Sequence, residues 1–307
     1  MQKFENKTNL LHTMEMDANA LASIERATGK PESNQIDSLM PGIDTNHGFE
    51  FSEISSTPSY IRLKPLPDNY RDRPVLFLDL DNTLYSKSLG LGTQCMERIG
   101  LYFEKYLGIP REESQALGEK YFMDYGLAIR GLIQHFKIDI EQYDRFVDGG
   151  LALDGVIRPD VELKRLLQRC KARLWIFTNA GRYHAERVLK LLDIYDQFEG
   201  ILYCDYLEQN FPSKPERLAY ERAMQVAQIE SNGQRVYFAD DSVTNVASSV
   251  AVGWEAVLVD ELMDVNVDLA INRRVSDQDL NVPDVKISRR IRHVQELSHV
   301  FPELFDE

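Results

Sequence analysis

The chain has 307 residues, of which 43% are hydrophobic and 27% are charged, and its formal net charge is -14. A balance this acidic argues against non-specific binding to nucleic-acid polymers or anionic membranes, because both need a basic protein surface. Three cysteines without CxxC spacing predict neither a disulfide framework nor a zinc site. No secretory signal and no stretch of ~18–20 apolar residues is found, so we expect no membrane insertion. The sequence therefore predicts an acidic cytoplasmic protein, with the nucleus left open, of one large or two smaller domains.

Residues 1–73 are predicted to form a mostly disordered N-terminal arm. Prolines break the pattern repeatedly, as at Pro58, Pro65 and Pro67, and only residues 18–27 have a short amphipathic helical pattern. A solvated tail is the favoured interpretation, and docking on a partner is the alternative.

Val75–Leu78 is a continuous apolar run, which is typical of a buried parallel strand. Asp79 and Asp81 follow it directly, at the end of the strand where open α/β sheets bind their ligands. A period of two places both carboxylates on the same side of an extended chain. Two negative charges this close repel each other unless a cation or a shared proton compensates them, so the pair indicates a functional site.

A helical insertion is predicted after this strand. Residues 94–106, 111–136 and 141–147 have helical spacing, and residues 84–177 contain no convincing core strand before the next apolar run. We therefore expect a helical cap over residues 87–155, placed as a lid above the carboxylates, where it would exclude water and supply specificity contacts.

Strands and helices alternate through the rest of the chain. Apolar runs at 174–177, 201–204, 236–239 and 256–259 predict strands, with helices between them. This alternation predicts a parallel sheet with helices on both faces, formed by residues 74–86 and 156–307. An edge strand at 285–287 and a helix over 288–300 are expected to follow. The basic cluster in that helix is interpreted as a solvated face with ion pairs; it comprises Arg289, Arg290, Arg292 and His293.

Polar residues end three of the predicted strands and could share one crevice. Thr178 and Asn179 follow one strand, and Asp240 and Asp241 follow another, while Lys214 precedes a helix between them. Carboxylates bind Mg²⁺ through oxygen, and a lysine with a hydroxyl can hold phosphate oxygens. One carboxylate can act as a nucleophile and a second as general acid and base. Together these residues indicate phosphoryl transfer.

Four short segments resemble the ordered motifs of the haloacid dehalogenase (HAD) superfamily, and the resemblance covers residues 74–307. The segments are Asp79-Leu80-Asp81-Asn82-Thr83, Thr178-Asn179, Lys214-Pro215 and Asp240-Asp241-Ser242. The resemblance implies a Rossmann-like three-layer core of parallel strands with a helical cap inserted after the first strand.

The same resemblance implies roles for individual residues. Asp79 would be the nucleophile and Asp81 the general acid and base, a combination that favours phosphatase over dehalogenase chemistry. The phosphoryl group would be bound by Thr178, Asn179 and Lys214. Mg²⁺ would be held by Asp79, by the backbone carbonyl of Asp81 and by Asp241, with Asp240 adjoining. Independently of the resemblance, the position of His184 beyond the second motif predicts a helix-start residue near the phosphate, at most a secondary contact, and Tyr85 is expected in the hinge after the nucleophile.

A narrower resemblance concerns the cap. Residues 121–132, 178–187, 202–206 and 300–305 look like the corresponding segments of fungal and plant pyrimidine 5′-nucleotidase-like proteins, a group that includes two yeast enzymes. This resemblance implies hydrolysis of nucleoside 5′-monophosphates, UMP or CMP, through an aspartyl-phosphate intermediate. Ser213 and Gly181 depart from the pattern of the group, which leaves the substrate open.

Two alternatives accompany this reading: a phosphatase for lysophosphatidate or another small phosphomonoester, and a non-catalytic regulatory scaffold. In the cap, Tyr125 could stack on a base and Arg130 could bind the base or the phosphate. The competing interpretation is that the cap aromatics pack its own core. The oligomeric state is not predicted.

Overall fold

The computed structural model describes residues 59–208, 211–229, 233–263 and 287–306. They form two compact units, one helical unit within Ile99–Asp139 and one α/β unit within Ser56–Arg98 and Ile140–Glu307. Most of the predicted N-terminal arm, including the helical pattern at 18–27, lies outside the described residues. The described helices include none long and apolar enough to cross a lipid bilayer.

The α/β unit is built on a seven-stranded sheet in the order β1-β4-β3-β2-β5-β6-β7. Every neighbouring pair is parallel except β1 and β4, which are antiparallel. The strands are β1 (Tyr60–Arg62), β2 (Val75–Leu78), β3 (Arg173–Phe177), β4 (Gly200–Leu202), β5 (Val236–Asp240), β6 (Glu255–Val259) and β7 (Arg290–Ile291). The predicted parallel-sheet core is confirmed.

Helices cover both faces of the sheet because successive strand residues point to opposite sides. Leu76 and Leu78 pack in one hydrophobic core with α5 (Val161–Gln168) and α6 (Arg182–Leu191). Phe77 packs in a second core with α7 (Arg217–Val226) and α8 (Val243–Ala251). The central strands are fully buried, which explains their continuous apolar runs. The two cores give the unit three layers.

The first strand corrects the expectation that disorder extends to Arg73. Tyr60–Arg62 pairs with Gly200–Leu202, and Arg62 Nη1 donates to Glu199 Oε1 at 2.6 Å. A half-buried edge strand of three residues carries too few residues for a period-two pattern to be visible. The ion pair with Glu199 supplies an anchor that the local sequence does not reveal.

The C-terminal segment also differs from its prediction, because residues 288–300 do not form one helix. They form β7, a 3-10 turn at Val294–Glu296 and the short helix α9 (Leu297–Val300). Of the edge strand expected at 285–287, residues 285 and 286 lie outside the described residues. Arg289 pairs with Glu255 and Arg290 with Asp260, so these arginines form ion pairs from a strand and its flank instead of a helix.

The helical unit contains the end of α1 (Leu91–Leu107), then α2 (Arg111–Tyr125) and α3 (Ala128–His135). The single helix expected over 111–136 is interrupted at Gly126, whose φ of 76° ends α2 in the left-handed region. A Cβ added at Gly131 would lie 2.3 Å from the Tyr121 ring, so α2 and α3 pack closely there. The short helix α4 (Ile140–Phe146) belongs to the α/β unit.

Candidate active site

Lys214 is the centre of a buried charge cluster at the carboxyl ends of the central strands. Its ammonium group lies 2.7 Å from Asp79 Oδ1 and 2.7 Å from Asp240 Oδ2, and donates to the carbonyl oxygen of Phe177 at 2.6 Å. The ammonium also lies 5.0 Å from the centre of the Phe177 ring. Although burial opposes the charge, the two carboxylates raise the pKa of Lys214. Lys214 is therefore a fixed positive charge.

Asp79 directly follows β2, and both of its carboxylate oxygens accept a hydrogen bond. Oδ1 accepts a hydrogen bond from the Lys214 ammonium group, and Oδ2 accepts one from the Thr83 hydroxyl at 2.9 Å. The chain can fold back to bring Thr83 there because Asn82 has a left-handed φ of 60°, a conformation that asparagine tolerates better than most residues. The turn after β2 thus fixes the orientation of the Asp79 side chain.

Three carboxylates meet at this point. One oxygen each of Asp79, Asp240 and Asp241 lie within 4.8 Å of one another. Burial and the proximity of Asp240 raise the pKa of Asp241 to about 7. Burial also raises the pKa of Asp79 well above its ordinary value, because Lys214 opposes the effect of burial only in part and Asp240 and Asp241 raise the pKa further. Three carboxylates with one ammonium leave an excess of negative charge, and such an all-oxygen donor set fits a divalent cation such as Mg²⁺.

The members of the acidic pair differ in their surroundings. Asp240 is fully buried and also accepts hydrogen bonds from the Ser242 backbone N–H at 2.8 Å and from Asn245 Nδ2 at 3.0 Å. Asp241 is only partly buried. Because Asp240 is already engaged, the expectation that Asp241 is the direct ligand and Asp240 adjoins it agrees with these contacts and stays a prediction.

Asp81 lies beside the cluster with two partners of its own. The Tyr85 hydroxyl donates to Asp81 Oδ1 at 2.5 Å, and His184 Nε2 lies 2.7 Å from the same oxygen. Burial raises the pKa of Asp81, but His184 and these hydrogen bonds lower it more, so the pKa lies below its ordinary value. In turn, Asp81 outweighs the burial of His184 and raises the pKa of the imidazole to about 9.

The predicted phosphate-binding residues lie at the end of β3. Thr178 is buried, and its hydroxyl oxygen accepts the backbone N–H of Ala180 at 3.0 Å. Asn179 binds the backbone of Lys214 twice, donating Nδ2–H to the carbonyl oxygen at 2.8 Å and accepting the N–H on Oδ1 at 2.9 Å. Asn179 therefore positions Lys214, and the phosphate role of all three residues stays a prediction.

A second pair of carboxyl groups lies near His184. Burial raises the pKa of Asp148 to about 7. His184 lowers this pKa, and the neighbouring Asp144 raises it further. A Cβ added at Gly181 would lie 3.2 Å from Asp144 Oδ1 and 3.7 Å from Asp148 Oδ2. The start of α6 is therefore packed tightly against these carboxyl groups.

The two predicted substrate contacts belong to the helical unit. The Tyr125 hydroxyl lies 2.6 Å from His135 Nε2, and the Tyr125 ring meets the Tyr121 ring edge-on at 5.7 Å between centres. Arg130 lies half-buried on α3. Tyr125 thus takes part in the aromatic packing of its own unit, as the competing interpretation expected, and contact of Tyr125 or Arg130 with a substrate stays a prediction.

Residues 74–253 match the family model of haloacid dehalogenase-like hydrolases. The chain belongs to this family. Its fold is the Rossmann-like α/β fold of HAD hydrolases, as the four motifs predicted. Hydrolase activity of the phosphatase type is typical of that family, and the acidic cluster is compatible with the Mg²⁺ that these hydrolases generally use.

A relative and two solved structures show the extent of the similarity. Phosphate metabolism protein 8 of Saccharomyces cerevisiae is 36% identical over 204 residues, which span 63% of this chain and 63% of that protein. A HAD phosphatase from Thermococcus onnurineus is 16% identical with a TM-score of 0.46, covering 74% of this chain and 97% of its own. A HAD-family hydrolase from Bacillus subtilis, bound to magnesium, has the same identity and TM-score and covers 75% and 99%.

Sequence reasoning missed the partners of Asp81. His184 was expected near the phosphate and Tyr85 in a hinge, but both contact Asp81 Oδ1. The spacing of four residues between Asp81 and Tyr85 was a usable signal, because a turn after a strand brings such residues together. His184 is 103 residues from Asp81 and carried no comparable signal.

Proposed function

We propose that this protein is a Mg²⁺-dependent phosphomonoester hydrolase acting on pyrimidine nucleoside 5′-monophosphates, UMP and CMP. One observation carries the proposal: Asp79 is held between Lys214 and Thr83, with Asp81 two residues away and a further acidic pair within reach. A nucleophile, a positive charge for phosphate oxygens and a proton donor are thereby supplied by one small region. The substrate class is supported by the resemblance of the cap to pyrimidine 5′-nucleotidase-like proteins.

The proposed reaction has two displacements at phosphorus. A carboxylate oxygen of Asp79 attacks phosphorus, the bond to the leaving oxygen breaks, and Asp81 gives that oxygen a proton. In the second step Asp81 takes a proton from water, whose oxygen attacks the same phosphorus and releases phosphate from Asp79. Lys214 and Thr178 would bind the non-bridging phosphate oxygens. Bound Mg²⁺, held by Asp79, Asp241 and the Asp81 carbonyl, would offset the charge of phosphate and carboxylates.

The nucleophile assignment is tested with Asp79→Asn, assayed on UMP and CMP with Mg²⁺. The amide cannot attack phosphorus, so turnover should fall to background, and undiminished turnover would refute the assignment. Asp68→Asn is the control, because it removes one negative charge from an exposed side chain and should leave turnover unchanged.

The substrate is tested by measuring phosphate release from a panel of nucleoside monophosphates, lysophosphatidate and small phosphomonoesters. We expect the highest kcat/KM on UMP and CMP. A higher value on lysophosphatidate would favour the lipid alternative. Absence of hydrolysis across the whole panel would favour the non-catalytic scaffold instead.

The proposal assigns substrate recognition to a cap over residues 87–155. Tyr125 would stack on the pyrimidine ring, and Arg130 would bind the base or the phosphate. Tyr125→Leu should then raise KM for UMP, whereas Tyr125→Phe, which keeps the ring, should retain most of the affinity. Equal KM values for the two variants would contradict stacking. We place this activity in the cytoplasm, which cell fractionation with an antibody against the protein tests.

A further inference from the structure

Asp81 is held asymmetrically, because both of its hydrogen-bond partners contact the same carboxylate oxygen. Tyr85 Oη lies 2.5 Å and His184 Nε2 lies 2.7 Å from Oδ1. Among the described residues, no hydrogen bond to Oδ2 is found. The Asp81 side chain is 34% exposed, whereas that of His184 is 4% exposed, so Asp81 is reachable from solvent while His184 is buried. Tyr85 is partly buried, and the two partners, Tyr85 and His184, together form a clamp on Oδ1 of Asp81.

We propose that Tyr85 and His184 are positioning residues that turn Oδ2 of Asp81 toward the leaving oxygen of the substrate. This inference rests on the proposed function and adds which oxygen of Asp81 exchanges the proton. A protonated carboxyl group has one carbonyl oxygen with two lone pairs and one hydroxyl. Because Tyr85 and His184 both occupy Oδ1, Oδ2 is the oxygen left to pass a proton to the leaving oxygen and, in the second step, to take one from water.

The two partners come from different parts of the chain, and each lies beside residues of the first hydrophobic core. Tyr85 follows Leu84, which is buried in the first core. His184 lies in the first turn of α6, whose Ala185 and Val188 are fully buried in the same core. Gly181, just before that helix, also has close neighbours, because a Cβ there would lie 3.2 Å from Asp144 Oδ1 and 3.4 Å from the Tyr206 ring. The backbone of His184 is therefore part of a packed helix.

The chemistry predicts a selective effect. When the phosphorus bond to the leaving oxygen breaks, that oxygen takes the proton from Oδ2 of Asp81 as Asp79 forms its bond to phosphorus. A strongly basic leaving oxygen needs this proton in the transition state, whereas p-nitrophenolate is stable enough to leave without it. Loss of the clamp should therefore lower kcat/KM most for substrates with poor leaving groups, because a misplaced Asp81 carboxyl group no longer reaches the leaving oxygen.

The test compares phenyl phosphate with p-nitrophenyl phosphate, which have similar shapes but different leaving groups. We measure kcat/KM, which reports on the steps up to transfer of the phosphoryl group, for Tyr85→Phe, His184→Phe and His184→Gln. Both phenylalanine variants should lose about tenfold or more on phenyl phosphate and much less on p-nitrophenyl phosphate. His184→Gln, whose amide can donate from a similar place, should recover part of the loss.

Tyr237→Phe is the matched control, because it removes a hydroxyl that also donates to a carboxylate, at 3.0 Å from Glu303 Oε1, outside the site. It should leave the ratio of the two kcat/KM values unchanged. Circular dichroism establishes that each variant folds, and Tyr85→Phe tests the clamp without the larger change at His184.

Equal losses on both phosphates, or full activity of Tyr85→Phe and His184→Phe on phenyl phosphate, would overturn this inference and leave the proposed function standing. A wild-type protein that hydrolyses neither phosphate, nor UMP, in the presence of Mg²⁺ would refute the proposed function, and the inference would fall with it.

Discussion

The ammonium group of Lys214 lies 2.7 Å from Asp240 Oδ2, and neither side chain is more than 1% exposed. Lys214→Met would leave Asp240 and Asp79 buried without their cation, and breaking such a cluster costs roughly 3–5 kcal/mol of unfolding free energy. We expect a large fall in the thermal midpoint, part of which Mg²⁺ should restore by supplying positive charge. Lys164→Met, which breaks a pair with the exposed Asp193, should lower the midpoint much less. An unchanged midpoint for Lys214→Met would contradict this account.

The buried carboxyl group of Asp148 predicts a pH dependence of stability. Its pKa is raised from 3.8 to about 7 in the folded protein, chiefly by burial. Between those values the folded state binds a proton that the unfolded chain has released, so the free energy of unfolding falls as pH rises from about 4 to about 7. Asparagine does not titrate, so Asp148→Asn lacks this contribution to the pH dependence of the free energy of unfolding.

We measure the urea midpoints of wild type and Asp148→Asn between about pH 5 and pH 8. As pH rises, the midpoint of wild type should fall relative to that of the variant. Asp68→Asn, which removes a carboxylate from an exposed side chain, controls for net charge. Parallel curves for Asp148→Asn and wild type would show that Asp148 is not responsible.

Asn82 lies between Asp81 and Thr83 with a φ of 60°. A β-branched residue is strongly disfavoured in the left-handed region, so Asn82→Val should lower the free energy of unfolding by about 1–2 kcal/mol. Asn82→Gly, which has no Cβ, should cost much less. Urea unfolding distinguishes the two, and equal losses would mean that the Asn82 side chain, and not its backbone conformation, stabilises the turn.

Gly200 lies where β4 meets β1. A Cβ at this position would come within 2.4 Å of the Trp175 ring and 2.7 Å of the Ile61 carbonyl oxygen. Gly200→Ala should therefore destabilise the protein by roughly 1–3 kcal/mol, because backbone and ring must both shift. Gly92→Ala is the control: that position in α1 has no atom within 4 Å of an added Cβ, and alanine favours helix. In thermal melts followed by circular dichroism, the midpoint of Gly200→Ala should lie below that of wild type, and the midpoint of Gly92→Ala should equal or exceed that of wild type.

The sequence could predict features that short stretches of chain specify by themselves. The apolar run of β2 and the spacing of Asp79 and Asp81 identify a buried strand and its polar end, and parallel strands bring Thr178 and Asp240 toward the same edge. The family model match over residues 74–253 agrees with that reading.

Features that depend on distant partners could not be predicted in this way. Tyr60–Arg62 becomes a strand only because the edge of β4 accepts it, and Arg62 finds Glu199 137 residues away. The helical spacing of 288–300 failed for a related reason, since Arg290–Ile291 pairs with β6. Tertiary pairing in both places outweighs local propensity.

The second hydrophobic core holds both tryptophans of the chain, Trp175 and Trp254, and the latter stacks on Phe77 at 5.0 Å between ring centres. Both tryptophans belong to the α/β unit, so intrinsic tryptophan fluorescence reports on the unfolding of that unit. Far-ultraviolet circular dichroism observes both units. If the two lose their structure at different denaturant concentrations, the two signals will give separate transitions, and a fluorescence curve alone would describe only the α/β unit.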